Sequence, residues 1–191
     1  MNATLIDYGA GNVRSVMNAL AELGQGAELT DDPTQVAAAE CLILPGVGHF
    51  SQLFAALRER QLEAAIKEAC MVGKPLLGIC LGMQALYEGS EEAPGVEGLG
   101  LLPGNVVRLP DSQKVPQIGW NKTDQGNWLY FANSFAAPVS PDTQDSFEYG
   151  GHFTASVKKD NVWGFQFHPE KSGLKGLELL REFLEAAHAC A

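Results

Sequence analysis

The chain is short of basic residues and contains no long apolar run. Thirteen Lys and Arg against 23 Asp and Glu give a net charge of −10. This balance argues against binding to nucleic acid or to an anionic membrane surface, because basic residues recognise both. No apolar stretch is long enough to cross a bilayer, and the N-terminus lacks the pattern of a secretory leader. We therefore expect a cytoplasmic protein.

Cysteine is also scarce, and the motifs of common cofactor sites are missing. The cysteines of the sequence are Cys41, Cys70, Cys80 and Cys190. They form no C-x-x-C pair and no Cys/His cluster with zinc-site spacing. The glycine turn at residues 9–12 lacks the third glycine of a dinucleotide-binding loop, and no Walker pattern is present. Since no repeat or linker interrupts the chain, we expect one domain over residues 1–191, without a metal, flavin or nucleotide.

Short apolar stretches alternate with amphipathic stretches along most of the chain. The residues at 3–8 and 41–44 have the composition of buried strands, and helical spacing of apolar residues follows the first of them. Asn12 stands where a helix N-cap is expected. This alternation predicts an α/β fold, with a mostly parallel central sheet flanked by helices. We expect antiparallel edge strands within residues 93–127. In the last helix, the predicted buried stripe is Leu174, Leu177, Leu180, Leu184 and Ala187.

Residues 76–84 read as a short buried strand, a sharp turn and the start of a helix. Gly78-Ile79-Cys80-Leu81-Gly82 has the pattern of the G-x-S-x-G nucleophile elbow, with cysteine in place of serine. A thiol at a helix N-terminus lies near unpaired N–H groups, which favour the thiolate. The alternative is an inert buried cysteine, which is common in protein cores.

A second stretch, Gly164 to Glu170, supplies what a nucleophilic cysteine needs. His168 and Glu170 are two residues apart, so in an extended segment their side chains leave on the same side. A cysteine, a histidine that takes its proton and a carboxylate that orients the histidine form a catalytic triad. The histidine motif alone is a weak signal, but together with an elbow cysteine it favours the nucleophile over the inert cysteine.

The two motifs together resemble those of the class I (triad) glutamine amidotransferases. The relevant stretches are G-I-C-L-G-M-Q at 78–84 and F-H-P-E at 167–170. Further stretches resemble the glutaminase subunits of imidazole glycerol phosphate synthases within that family. They are D-Y-G-A-G-N at 7–12, P-G-V-G at 45–48, I-G-W-N at 118–121 and H-P-E-K-S at 168–172. The resemblance covers nearly the whole chain, although Gln117, Asn133 and Phe135 depart from the family pattern.

This resemblance implies a glutaminase without a cofactor. Cys80 attacks the side-chain amide of glutamine, His168 acts as general base and acid, and Glu170 orients the imidazole. Backbone N–H groups hold the oxyanion, in a segment that is rearranged under the control of a partner. The residues assigned to the oxyanion are Gly46, Val47, Gly48 and Leu81. Those assigned to the amino-acid end of glutamine are Gln84 and Glu92.

The resemblance also implies a heterodimer with a separate, barrel-shaped cyclase subunit. That subunit would receive the ammonia and form imidazole glycerol phosphate and an aminoimidazole carboxamide ribotide, in histidine biosynthesis. The residues assigned to this interface are Asn12, Trp120, Asn121, Tyr130 and Lys171. Two alternatives stay open from the sequence. One is the glutaminase of another amidotransferase, such as pyridoxal phosphate synthase, and the other is a regulatory binding module without useful hydrolysis.

Overall fold

The structure is a computed structural model that describes residues 2–9 and 12–189. Ala10 and Gly11 of the expected glycine turn lie outside these ranges, as does Cys190. The helices are α1 (Val13–Glu22), α2 (Pro33–Ala38), α3 (Phe50–Glu59), α4 (Leu62–Met71), α5 (Leu81–Gln84) and α6 (Gly173–Ala189). The strands are β1 (Ala3–Ile6), β2 (Ala27–Thr30), β3 (Cys41–Gly46), β4 (Leu76–Cys80), β5 (Gly89–Ser90), β6 (Asn105–Arg108), β7 (Gln117–Lys122), β8 (Trp128–Asn133), β9 (Phe135–Ala136), β10 (Thr143–Glu148), β11 (His152–Lys159) and β12 (Val162–Phe165).

In the described part of the chain, seven strands form one sheet in the order β10-β11-β12-β4-β3-β1-β2. The strands from β12 to β2 pair in parallel, whereas β11 pairs antiparallel with both β10 and β12. The α/β prediction is therefore confirmed. The antiparallel edge comes from residues 143–159, so its expected location within 93–127 was wrong. Those residues instead contribute β6 and β7 to two small separate sheets.

Helices cover both faces of the central sheet. Since successive strand residues point to opposite sides, each face buries its own set of apolar side chains. On one face, a buried cluster joins the strands to α1 and α6 and includes Leu5, Ile43, Leu77, Val16, Leu20, Leu180 and Phe183. On the other face, a second cluster joins the strands to α3 and α4 and includes Ile6, Leu42, Leu76, Phe54, Leu57, Leu62 and Ile66. Burying a side chain of this size stabilises the folded state by about 1.5–3 kcal/mol relative to leaving it exposed. The double covering explains why the central strands are apolar throughout.

The carboxyl ends of β3, β4 and β12 meet at one edge of the sheet. In the register of β3 and β4, Gly46 lies opposite Cys80. Phe165 at the end of β12 lies opposite Ile79, and the chain then continues to His168. Parallel α/β sheets bind ligands in the crevice beyond these strand ends. The fold thus brings together the three segments that the sequence singles out.

Helix α6 departs from its expected pattern at the first turn. Leu180, Leu184 and Ala187 are buried as predicted, but Leu174 is 85% exposed. The first turn contacts the preceding segment through Gly176, where a Cβ would collide with the carbonyl oxygen of Pro169. Leu174, two residues earlier, lies on the opposite side of the helix.

Within the described ranges, no helix is both long and apolar enough to cross a membrane.

Candidate active site

Cys80 ends β4 in a strained turn. Its φ of 56° and ψ of −111° lie outside the regions that residues with a Cβ prefer. Close packing holds the turn, because a Cβ on Gly78 would collide with the backbone of Gly82, and one on Gly82 with the carbonyl of Leu44. The expected elbow is therefore present. The helix behind it, α5, has only four residues, so the helix dipole at the sulfur is smaller than the sequence suggested.

His168 and Glu170 lie in contact, but not through an extended segment. Nδ1 of His168 donates to Oε1 of Glu170 across 2.9 Å, and the two side chains are 5% and 1% exposed. Residues Pro169–Lys171 form a 3₁₀ turn, and this turn brings the two side chains together. The predicted contact is present, whereas the extended geometry from which it was argued was wrong.

The surroundings of His168 make its imidazole more basic. Burial lowers its pKa, since the charged form loses water. Hydrogen bonds to Cys80 and Glu170 raise the pKa by more than burial lowers it, and the negative charges of both partners raise it further. Together they raise the pKa of His168 to about 10. The imidazolium that forms when His168 takes a proton is thus stabilised by the group that gives the proton and by the carboxylate behind it.

Strand β8 fixes the position of the histidine backbone. The N–H of His168 donates to the carbonyl of Tyr130 across 2.9 Å. The Ser172 hydroxyl accepts from the Tyr130 N–H at 3.0 Å and donates to the His168 carbonyl at 2.7 Å. These bonds hold the His168 corner against the strand that carries Tyr130.

Asn12 supports the carboxylate rather than capping its helix. It stands at the N-cap position of α1 but makes no side-chain capping bond. Its Nδ2 donates to Oε1 of Glu170 at 3.2 Å, and its Oδ1 accepts from the Ser15 hydroxyl at 2.6 Å. The expected cap was wrong, and the side chain assigned to the partner interface is bonded within the chain. Oε1 of Glu170 thus receives a second donor besides His168.

Two buried amides lie beside the sulfur. Gln166 has no exposed surface, and its Nε2 lies 3.9 Å from Sγ of Cys80. Gln84 donates from Nε2 to Oε1 of Gln166 at 3.1 Å and to the Phe135 carbonyl at 2.8 Å. Gln84 therefore orients Gln166 so that an N–H faces the sulfur. Its amide nitrogen is occupied by these two carbonyl oxygens.

The segment assigned to the oxyanion begins at Gly46, the last residue of β3. Gly46 packs so closely on the elbow that a Cβ would collide with the backbone nitrogen of Gly82. The N–H of Val47 donates to the hydroxyl of Tyr8 at 3.2 Å. Gly48 has a φ of 102°, which favours glycine. Across the elbow, Leu81 is buried and lines the same cavity as Val47 and Gly48.

A cavity of about 330 Å³ opens above Cys80. It suits a small polar ligand, since charged and amide side chains share its wall with apolar ones. The wall includes Gln84, Glu92, Phe135, His168 and Lys171. Glu92 accepts the backbone N–H of Phe50 at 2.8 Å through Oε2, so its carboxylate is fixed at the cavity edge. The residues assigned to the nucleophile, base, oxyanion and substrate all border this cavity or contact a residue that does.

Comparison with known sequences identifies the family. The sequence model described as Glutamine amidotransferase class-I matches residues 4–187. The chain belongs to this family. The match spans every strand of the central sheet except the first residue of β1, and it includes both halves of the candidate site.

Three curated relatives of the chain carry the name "Imidazole glycerol phosphate synthase subunit HisH". The protein of Methanothermobacter thermautotrophicus is 43% identical, over 97% of this chain and 98% of its own length. That of Thermus thermophilus is 47% identical over 94% and 95%. That of Moorella thermoacetica is 45% identical over 95% and 93%. The similarity thus extends over nearly the full length on both sides.

Solved structures of amidotransferases share the fold at lower identity. A glutamine amidotransferase crystal structure superposes with a TM-score of 0.79 at 23% identity, covering 97% of this chain and 98% of that one. A chain of the PurLQS structure from Thermotoga maritima superposes with a TM-score of 0.74 at 21% identity, covering 97% and 98%. These likenesses support the amidotransferase fold.

An aromatic face extends from the cavity of this amidotransferase along the β7–β8 hairpin. Ile118 is 69% exposed and Trp120 54%, and Ile118 also borders the cavity. Trp120 meets Tyr130 edge to face, with ring centroids 6.2 Å apart, and the Lys171 ammonium lies 5.6 Å from the centre of the Tyr130 ring. Asn121 is directed into its own chain, since its Nδ2 donates to the Glu148 carbonyl at 3.1 Å. The exposed apolar side chains of the hairpin thus lie next to the cavity wall.

Sequence reasoning missed three of the contacts described above. They are the Asn12–Glu170 bond, the amide pair beside Cys80 and the Tyr8–Val47 bond. The first and third join residues far apart in the chain, so local spacing carries no sign of them. Gln166 offered a signal, because a Gln between two Phe residues at the end of an apolar strand is an unusual polar residue in a buried position.

Proposed function

We propose that the chain is the glutaminase subunit of an imidazole glycerol phosphate synthase. It hydrolyses glutamine to glutamate and ammonia, and it delivers the ammonia to a separate cyclase subunit in histidine biosynthesis. The observation that carries the proposal is that Cys80 and His168 line one cavity of suitable size, with Glu170 bonded to His168 at 2.9 Å. The HisH relatives, at 43–47% identity over almost the whole chain, support the choice of synthase.

In the proposed reaction, His168 takes the proton of Cys80, and the sulfur attacks the side-chain carbonyl carbon of glutamine. The C–N bond of the resulting tetrahedral intermediate breaks, and His168 returns the proton to the departing ammonia. A glutamyl thioester remains on Cys80. Water then attacks the thioester with His168 as base, which releases glutamate and restores the thiol. The raised pKa of His168 favours the imidazolium, which is the product of the first of these steps and the proton donor in the second.

The backbone around the elbow would stabilise the negative oxygen of the intermediate. We assign this role to the N–H of Leu81 and to the Gly46–Gly48 segment, whose Val47 and Gly48 line the cavity together with Leu81. The loss of one such donor in a protease lowers turnover roughly a hundred- to a thousandfold. The position of the Val47 peptide therefore has a large influence on the rate.

The same cavity offers contacts for the amino-acid end of glutamine. Glu92 carries a negative charge at the cavity edge and would attract the α-ammonium group. Gln84 borders the cavity, and its carbonyl oxygen remains to accept from the substrate, because its nitrogen is bonded to Phe135 and Gln166. We retain both residues as substrate contacts.

The partner would bind on the aromatic face. We assign the contact to Trp120, Tyr130 and Lys171, which lie beside one another, with Lys171 in the cavity wall. Asn12 and Asn121 keep a supporting role, since both side chains are bonded within the chain. A partner on this face would close the cavity and receive ammonia at its opening. A free thiol nucleophile also fits a reducing compartment, so we place the heterodimer in the cytoplasm.

The test is glutamate release from glutamine by the chain alone, with a separately expressed cyclase subunit, and with that subunit and its phosphoribosyl ligand. We expect little release from the chain alone and a large rise with the loaded partner, abolished by Cys80→Ala. Stimulation by the pyridoxal phosphate synthase partner instead would reassign the subunit. No release under any condition, with a glutamine affinity label sparing Cys80, would favour a regulatory binding module.

A further inference from the structure

The hydroxyl of Tyr8 holds both polar groups of the Val47 residue. Val47 N–H donates to it at 3.2 Å, and the hydroxyl itself approaches the Val47 carbonyl oxygen at 3.4 Å. Tyr8 follows β1 and Val47 follows β3, and these strands are neighbours in the sheet. The two residues are 39 positions apart, so the contact belongs to the tertiary fold.

The environment of Tyr8 keeps this hydroxyl neutral. Tyr8 is 3% exposed, and its burial raises the pKa of the hydroxyl to about 12. The bond to Val47 lowers this pKa by a smaller amount, and the charges of Cys80 and Asp7 raise it slightly. A neutral phenol both donates and accepts. At physiological pH it can therefore hold the N–H and the carbonyl of Val47.

The bonded N–H belongs to the segment that faces the nucleophile. While it donates to Tyr8, it is not available to an oxyanion on the substrate. The two glycines that flank Val47 differ in packing. Gly46 is packed against Gly82, whereas Gly48 has a positive φ, and a Cβ there would meet only the end of the Gln52 side chain at 3.8 Å. The Val47–Gly48 region can thus turn about a fixed Gly46 once the bond to Tyr8 is released.

We propose that Tyr8 is a positioning residue that holds the Val47 amide in an unproductive orientation and so limits the rate of the free subunit. The proposal rests on the glutaminase function above. Removing the hydroxyl shifts the equilibrium towards the released segment. The expected rise in kcat is roughly two- to twelvefold, the range that one net hydrogen bond gives. KM for glutamine stays unchanged, because Tyr8 is outside the substrate contacts.

Tyr8→Phe tests this in the full chain without partner, with Tyr87→Phe as the matched control. Tyr87 is also a tyrosine that is 3% exposed, and its hydroxyl is not bonded to the oxyanion segment. Two quantities are measured: kcat and KM for glutamine hydrolysis, and hydrogen exchange of the Val47 amide in ¹⁵N-valine-labelled protein. In Tyr8→Phe we expect a higher kcat and faster Val47 exchange, and in Tyr87→Phe neither.

Unchanged kcat and unchanged Val47 exchange in a folded Tyr8→Phe protein would overturn the proposal, as would a fall in kcat. The exchange measurement needs no turnover, so it reports on the Tyr8 bond even if the chain lacks glutaminase activity. A Cys80→Ala version of each variant identifies hydrolysis that does not arise at the proposed nucleophile. Failure of the glutaminase function and failure of the Tyr8 role are therefore distinguished.

Discussion

His168 is buried, yet its pKa is held above the usual imidazole value because Cys80 and Glu170 both favour its protonated form. Removing the charge of Glu170 leaves burial opposed by the Cys80 interactions alone. We expect Glu170→Gln to lower the pKa of His168, measured by NMR titration of the ring. We also expect kcat to fall by roughly 10⁴, as for the equivalent change in a serine protease.

The same substitution has a predictable effect on stability. A pKa raised in the folded state stabilises the protein fully below the unfolded value of about 6.5, and this contribution is lost as the pH rises through about 10. The difference in free energy of unfolding between wild type and Glu170→Gln should shrink across that range. Glu178→Gln, an exposed change on α6, is the control, and an equal effect of both variants would contradict the argument.

Asn12 offers a milder test of the same carboxylate. Asn12→Ala removes one of two donors to Oε1 of Glu170 and leaves Cys80, His168 and Glu170 themselves unchanged. We expect roughly a five- to tenfold lower kcat with KM nearly unchanged, since a hydrogen bond to a charged group is worth about 1.5–3 kcal/mol and part of it is recovered by water. Steady-state kinetics measures both constants. Asn18→Ala, on the exposed side of the same helix, should leave kcat unaltered.

At the scale of single residues, the sequence predicts those site residues that belong to a short local motif. Cys80, His168 and Glu170 each lie in a local pattern, and their contact follows once the strand ends meet. The bond between Asn12 and Glu170 joins residues 158 positions apart, and its two partners lie on separate elements. Such a contact depends on the packing of α1 against the 3₁₀ turn, which no local pattern encodes.

Among the elements, the elbow depends on how closely α5 approaches β3. Gly82 is the contact point, because a Cβ there would collide with the carbonyl of Leu44. We expect Gly82→Ala to destabilise the protein by about 1–3 kcal/mol or more, the usual range for overpacking. Denaturant unfolding measures this free energy.

The matched control is Gly151→Ala, where a Cβ would make ordinary contacts with the Phe153 ring at 3.4 and 3.5 Å. Its free energy of unfolding should change by less than about 0.5 kcal/mol. Comparable stability of the two variants would show that the elbow does not require this close approach.

The elements predicted from periodicity are those with strong patterns: the apolar strands β3 and β4 and the helices that cover them. Helix α6 is predicted along most of its length, but not at Leu174, because the first turn contacts the 3₁₀ turn rather than the sheet. Residues 93–127 form small sheets of their own, and short strands with mixed composition carry too little signal to locate their partners. One domain over residues 1–191 remains our prediction.

For the whole molecule, the aromatic face of Ile118, Trp120, Tyr130 and Lys171 adjoins the cavity, and this position determines what a bound partner would cover. Ile118 belongs to both, so a partner seated on the hairpin would cover the opening above Cys80. The His168 corner is bonded to β8 through Tyr130 and Ser172, and the side chain of Tyr130 lies in the same face. A shift of the hairpin on partner binding would therefore reach His168, the proposed base, through strand β8.

This arrangement predicts that Trp120 dominates association with the proposed cyclase subunit. Tryptophans at the centre of an interface commonly contribute about 2 kcal/mol or more, and Trp120 combines an exposed ring with edge-to-face support from Tyr130. We expect Trp120→Ala to raise the Kd for the cyclase roughly thirtyfold or more, as measured by calorimetry. Met71→Ala removes a side chain of 76% exposure at the end of α4, away from the hairpin, and should leave Kd unchanged. Equal affinities of the two variants would move the interface elsewhere, and with it the route by which ammonia leaves the cavity.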